Sequence, residues 1–368
     1  MQTINQYLLG CCTLLAVTGC AQQPDTTPAE RLDTRLRRCV EQGLVLLGHQ
    51  DDLFYGKHWN RWKSGREQSD IRAVAGDYPA VLGVEIGCIE LGDTLSLDRV
   101  PFRLIREGIA EHHRRGGVVT VSWHAANPAT GGDSWDVASA GGTVARMLEG
   151  GDLHILAREW LSRVGDFLAS LRDDDGEPIP VIWRPWHEMA GEWFWWGAPY
   201  CSPEEYRALW RMTFDYLQHE RGLSNLLWAI SPGFTDRCKT GYTDYYPGDD
   251  CVDLIGIDIY QYGSGSDFRD LTRRQLEHLA EMARSHDKLL ALTETGCEAI
   301  PDSEWWTATL RPALDDVPVA YVLLWRNAWN RDKHYYAPFE GEASADDFRT
   351  FTTDERIGLL GDLNALGN

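Results

Sequence analysis

The sequence predicts a single (β/α)8 TIM barrel of the α/β class, on three observations. Eight apolar runs of strand length recur along the chain, amphipathic segments separate them, and polar residues gather at the C-terminal ends of the runs. Near-continuous apolar runs suit parallel strands covered on both faces. Alternation of β and α implies helical crossovers. In this barrel function sits at the C-terminal strand ends. The chain of 368 residues is long enough, since such a barrel needs about 250 and tolerates long loops. Eight rounds favour closure over an open sheet, and no dinucleotide-type glycine fingerprint follows the first run.

In order, the strands are expected at Val45 to Gln50, Ala80 to Gly87, Gly117 to His124 and Pro180 to Glu188. The remaining four are Asn225 to Pro232, Val252 to Tyr260, Leu289 to Gly296 and Val319 to Arg326. Amphipathic helices are expected from Pro101, from Gly151, and from Ser202 with Pro203 at the first helical position. Others follow from Asp270 and after Ser303, a candidate cap. "GSGSDF" around Gly263 reads as a loop, and His112 with His113 as a solvated helix face.

The chain begins "MQTINQYLLGCCTLLAVTGC", with an apolar stretch from Leu8 to Val17 that is too short to span a bilayer and fits a signal h-region. No Lys or Arg precedes it. "AVTGC" resembles a bacterial lipobox, which implies lipidation of Cys20, export, and a membrane-anchored lipoprotein of the periplasm, outer membrane or cell surface. The expected domains are residues 1–20 as lipoprotein signal, 21–30 as a flexible tether and 31–368 as the catalytic barrel. Six cysteines lie beyond the leader with no C-x-x-C pair, so a structural zinc site is not expected. Cys238 and Cys251 are one possible loop staple, with buried thiols the alternative.

A net charge of −21 argues against nucleic acid and disfavours anionic substrates, leaving a neutral polymer admissible. No P-loop, H-E-x-x-H or G-x-S-x-G motif is present, and neither a metal nor a cofactor is expected.

Two carboxylates stand out at opposed strand ends, Glu188 and Glu294. Glycoside hydrolysis needs one carboxyl as proton donor and another as nucleophile or base. Glu188 sits beside His187 and before the aromatic "EWFWW", surroundings that disfavour its charge. Tyr260 could donate a hydrogen bond to Glu294. The bland alternative for either is a salt bridge to Arg184 or Arg326. Sixteen tryptophans include Trp123, Trp135, Trp193, Trp196 and Trp325 near strand ends, where flat rings could stack on sugar faces. Trp183 and Trp228 read as core. His124, Asn127, Arg184 and His187 could bond sugar hydroxyls, and Glu85 and Glu90 are either distal sugar contacts or core ion pairs.

At "WRPWHEMAGEWFWWG" the chain resembles glycoside hydrolase family 26, whose principal members are β-mannanases. Supporting segments are "LGHQDDLFYGKHW", "VSWHAANP", "DSW", "IGIDIYQY" and "LTETG", over roughly residues 40 to 340. The resemblance implies a retaining hydrolase of β-1,4-mannan, galactomannan or manno-oligosaccharides, with Glu188 as acid/base and Glu294 as nucleophile. It implies substrate contacts at His124, Trp135, Arg184, His187, Trp193, Trp196, Tyr260 and Trp325. The expected partners are the β-mannan substrate and, through the anchor, a membrane; the chain is expected to act as a monomer. The alternatives are a family member acting on mixed-linkage β-glucan or xylan, or a non-catalytic glycan-binding lipoprotein. The glycine-containing loop from Ala129 to Asp152 is the expected cleft wall.

Overall fold

A computed structural model describes residues 26–138, 141–234 and 242–367. Eight parallel strands close into a barrel: β1 (Val45–Gln50), β2 (Val81–Glu85), β3 (Val118–Trp123), β4 (Val181–Pro185), β5 (Leu226–Ile230), β6 (Leu254–Gln261), β7 (Leu289–Cys297) and β8 (Tyr321–Leu324). Each pairs with its sequence neighbour, and β8 returns to β1 from Leu46↔Tyr321 to His49↔Leu324, so the barrel has no open edge. All eight expected runs are strands. β1 to β5 and β7 are buried along their whole length, which is why their sequences lack polar alternation.

A helix not anticipated from sequence, α1 (Pro28–Glu41), plugs the N-terminal end of the barrel. Leu32, Leu36 and Cys39 project from one face and pack with Leu46, Val118, Ile182, Leu227, Leu254 and Leu289. Thr27 and Glu30 form a reciprocal capping box with Pro28 inside it. The helix therefore takes Pro28 to Glu30 out of the expected tether. Residues 1–25, with the signal segment and Cys20, lie outside the described residues.

Full-length crossovers α2 (Phe102–Arg114), α3 (His154–Ala169), α4 (Pro203–Phe214) and α5 (Gly265–Ser285) follow β2, β3, β4 and β6. The other connections carry shorter pieces at Asp70–Ala75, Tyr242–Tyr245, Trp306–Ala313 and Ala345–Thr352. Ser202 caps α4 as expected. α5 begins before Asp270 because Ser264 caps it, so "GSGSDF" is a helix start and not a plain loop. Ser303 is not a cap. The Asp347 carboxylate, from a neighbouring helix, accepts from the Trp306 and Thr307 amides at 3.0 and 3.1 Å. His112 is fully buried against the Ala80 carbonyl, contrary to the solvated reading, while His113 stays partly exposed. Cys251 is a free thiol, and Cys238 lies outside the described residues.

Candidate active site

The C-terminal strand ends form the floor of a cleft of ≈ 310 Å³ that contains both Glu188 and Glu294. β4 stops at Pro185, and the chain turns sharply through Trp186 (φ 52°) and Glu188 (φ 58°). Such left-handed backbone is costly for residues with a Cβ and persists where surrounding structure fixes it. Here the Glu188 amide donates to the Ser231 carbonyl at 2.7 Å. Gly233 packs against the result: a Cβ there would lie 2.7 Å from the Trp193 ring and 3.1 Å from Glu188 Cβ. On β7 the pairing with β6 shifts register between Leu292 and Glu294, which aims Glu294 into the mouth.

One oxygen each of Glu188, Asp258 and Glu294 lies within 4.8 Å of the others. The two glutamates have different surroundings. Glu294 is gripped on both oxygens: Arg184 Nη2 donates to Oε1, and Tyr260 Oη donates to Oε2 at 2.6 Å. Among the described residues, the Glu188 carboxyl accepts only from the Trp193 indole N–H, on Oε2. Burial, and then the charges of Glu294 and Asp258, push the Glu188 carboxyl well above its ordinary range, against the pull of Trp193 and Arg184. Asp258 is itself raised to about 7, chiefly by burial, although Arg184 opposes this.

Arg184 lies beneath the cleft, not in it. Its guanidinium is 1% exposed and also donates to Asp258 Oδ2 and Ser231 Oγ, both at 2.9 Å. The expected sugar contact at Arg184 is therefore corrected: it orients Glu294 and neutralises part of the buried acidic cluster. The salt-bridge alternative for Glu294 is real and coexists with its place in the lining of the cleft. Arg326 pairs instead with Asp98 at 3.0 Å.

His124, Trp135, Trp193, Tyr260 and Trp325 all line the cleft, joined by Phe194, Tyr262 and Tyr336, which were not anticipated there. His187 and Trp196 do not reach it. Both are fully buried, and the Trp196 indole N–H donates to the His187 carbonyl at 2.7 Å while its ring stacks under Phe194. Within "EWFWW" the odd member that reaches the cleft beside Trp193 is thus Phe194, with Trp195 and Trp196 packed into the core. Trp123 and Asn127 are also core: the Trp123 N–H is held by Glu90, and Asn127 bonds the Asp136 carbonyl. Trp183 and Trp228 are buried as expected.

His124 connects the cleft to a buried acid. Its Nδ1 lies 2.6 Å from Glu85 Oε2, its ring stacks on Trp135, and its Nε2 lies 3.2 Å from His187 Nε2. Burial works against charge on His124, but Glu85 outweighs it and the net shift is upward. Burial, with Arg184 and His124 adding to it, pushes His187 well below the usual range. A charged His124 donating to both Glu85 and a neutral His187 satisfies this geometry. Glu85 and Glu90 are thereby core anchors rather than sugar contacts; Glu90 also accepts from the Ala126 amide at 2.7 Å. Sequence reasoning missed Asp258, although a carboxylate inside the apolar "IGIDIY" run was the available signal.

A model of glycosyl hydrolase family 26 matches residues 35–309. A family 26 β-mannanase structure from Bacteroides ovatus aligns with a TM-score of 0.88 at 45% identity, covering 94% of this chain and 98% of that one. The catalytic domain of a family 26 endo-β-1,4-mannanase from Bacillus sp. JAMB-750 aligns at 0.81 and 28% identity, over 93% and 94% of the two chains. The mannan endo-1,4-β-mannosidase of Bifidobacterium adolescentis is 28% identical over 315 residues, which are 80% of this chain and 31% of that protein. The chain thus spans less than a third of that relative's length, and 54% of a Bacillus subtilis mannan endo-1,4-β-mannosidase that it matches at 31% identity.

Proposed function

The chain belongs to glycosyl hydrolase family 26, and from that premise we propose that it hydrolyses β-1,4-mannosidic linkages in mannan, galactomannan or manno-oligosaccharides with retention of configuration. The observation that carries this reading is the pair of opposed carboxylates, with oxygens within 4.8 Å of each other and unlike surroundings. A retaining mechanism wants its two carboxyl groups only about 5–5.5 Å apart, since no water need fit between sugar and nucleophile.

Glu188, kept protonated by burial and by its acidic neighbours, is the acid. It gives its proton to the glycosidic oxygen as the bond from that oxygen to the anomeric carbon breaks. Glu294, aligned by Arg184 and Tyr260, attacks the anomeric carbon and forms a glycosyl ester. The ionised Glu188 then takes a proton from water, whose oxygen displaces Glu294 and restores the original configuration. The aromatic walls at Trp135, Phe194, Trp193 and Trp325 offer faces for the sugar rings.

Reducing-sugar release from mannan, galactomannan, mixed-linkage glucan and xylan, assayed side by side, tests the reading. Mannans should be preferred, and Glu188→Gln and Glu294→Gln should each abolish release while leaving polysaccharide binding. Near-native turnover in either variant would remove that residue from the mechanism, and equal activity on xylan or glucan would remove the mannan assignment.

The chain is further read as an exported lipoprotein anchored through Cys20 to the periplasmic or cell-surface side of a membrane, supported by "AVTGC" after a short apolar run. We read it further as a monomer, a reading supported by one chain's described residues supplying both carboxylates and the aromatic cleft walls. Incorporation of labelled palmitate that is lost in Cys20→Ala, and a monomeric mass by light scattering, check these two points.

A further inference from the structure

Glu90 is a fully buried acid that the hydrolysis above does not use. It sits on a single helical turn, Ile89–Leu91, just after β2. Its backbone is held from the outer layer, where Arg163 of α3 donates to the Glu90 carbonyl. Both carboxyl oxygens face the end of β3. Oε1 accepts from the Ala126 amide at 2.7 Å, and Oε2 accepts from the Trp123 indole N–H at 2.9 Å. Burial pushes this carboxyl up to about 7, and those two N–H groups pull it back toward the ionised form. A carboxyl this deep is costly unless donors meet it, and here both donors come from one strand end.

Ala126 lies in the stem of the loop that carries Trp135. The next residue, Asn127, ties the rest of the loop to this point. Its amide donates to the Gly132 carbonyl at 2.8 Å, and its Nδ2 donates to the Asp136 carbonyl at 2.8 Å. Gly132 and Asp136 stand on either side of Trp135 in the chain. A second hold comes from Trp195. Its indole N–H donates to the Ala125 carbonyl at 3.0 Å, and its amide donates to the Ser134 carbonyl at 3.2 Å. The stem from Ala125 to Pro128 is buried, whereas Thr130, Gly131, Asp133 and Trp135 are exposed. The Trp135 ring rests on His124 with centroids 5.3 Å apart. Its place in the cleft therefore depends on where the buried stem is held.

We infer that Glu90 is a positioning residue: it fixes the stem of the 125–136 loop and, through Asn127, sets the Trp135 ring in the cleft and with it the affinity for substrate. The inference rests on the mannan-hydrolase reading above. Glu90 itself touches no sugar, because it has no exposed surface. Glutamine in its place would offer one acceptor to two donors, and its NH2 group would face one of those N–H groups.

Steady-state kinetics of Glu90→Gln on a manno-oligosaccharide, alone and combined with Trp135→Ala, tests the role. Alone, Glu90→Gln should raise KM about three- to tenfold and hold kcat within about twofold. In the Trp135→Ala background the same change should move KM by less than about twofold, because the ring that it sets is gone. Asn127→Ala leaves the buried carboxyl intact and cuts the link to Asp136. It should raise KM in the same way with kcat kept, and it carries the test if Glu90→Gln does not fold. An unchanged KM in these variants overturns the role, as does a fall in kcat alone. Effects on KM that multiply in the double variant overturn it too, since Glu90 would then act on binding without Trp135. Failure of the unmodified protein to cleave any manno-oligosaccharide overturns the hydrolase reading instead.

Discussion

Tyr260 Oη donates to Glu294 Oε2 at 2.6 Å, while Arg184 Nη2 occupies the other oxygen of the same carboxylate. Glu294 is therefore held on two sides before any substrate arrives. Removing the phenol hydroxyl deletes a hydrogen bond to a charged group, worth about 1.5–3 kcal/mol. Tyr260→Phe should lower kcat by about ten- to a hundredfold, with a smaller change in KM, because the bond orients the attacking group more than it binds sugar. Steady-state kinetics on a manno-oligosaccharide decides it; an unchanged kcat would make the bond incidental.

The Glu188 carboxyl is raised by burial and by its acidic neighbours, and the Trp193 indole N–H opposes that shift. A general acid works while protonated, so activity should be lost as pH rises through the Glu188 pKa in the folded protein. Trp193→Phe removes a hydrogen bond that favours the ionised form. The alkaline limb of kcat/KM should consequently move to higher pH in that variant. A limb that stays put, or moves down, would show that another group controls it.

The same group has a stability consequence. A carboxyl whose folded pKa lies above its unfolded one contributes stability that is complete below the unfolded value and is lost as pH rises through the folded value. Glu188→Gln never ionises. It should therefore melt above the unmodified protein at about pH 8, and the gap should close near about pH 4, where unfolded glutamate is also largely protonated. Melting curves across that range report it directly. A gap independent of pH would mean that packing, not charge, sets the difference.

Arg184 sits 1% exposed between Asp258 and Glu294. Breaking a buried pair by removing one partner typically costs about 3–5 kcal/mol, because the remaining charges lose their counterion. Arg184→Met should lower the denaturant midpoint accordingly and abolish turnover. Lysine keeps the charge but lacks the planar fork that reaches Ser231, Asp258 and Glu294 together. Arg184→Lys should therefore recover stability more than it recovers kcat, and parallel recovery of both would argue against a positioning role.

The barrel was legible in the sequence because parallel strands buried on both faces read as apolar runs, and each of the eight expected runs is a strand. The cleft was legible at His124, Trp135, Trp193, Tyr260 and Trp325 because these follow strand ends, where the barrel opens. Depth was not legible. Arg184 and Trp196 sit in the same motif as residues that face the cleft, yet strand alternation and the turn at Trp186 send them inward. Helix α1 was missed because its start depends on the Thr27–Glu30 box, which lies inside a polar, proline-bearing stretch that also reads as a linker. The cap of the Trp306 helix was hidden for another reason: Asp347 is brought there by tertiary structure alone.

Depth also separates the two tryptophans that the sequence treats alike. Trp196 is fully buried, with its N–H on the His187 carbonyl and its ring under Phe194. Trp196→Ala should destabilise the protein by about 3–5 kcal/mol through the cavity it leaves. Trp135 is 47% exposed, stacks on His124 and lines the cleft. Trp135→Ala should shift stability by no more than about 0.5 kcal/mol, as for exposed positions generally. It should instead raise KM for manno-oligosaccharides about three- to tenfold through the lost ring face. Chemical denaturation paired with steady-state kinetics on both variants distinguishes the roles. A stable Trp196→Ala with a raised KM would return Trp196 to the sugar-binding surface, and an unstable Trp135→Ala with unchanged KM would take Trp135 out of it.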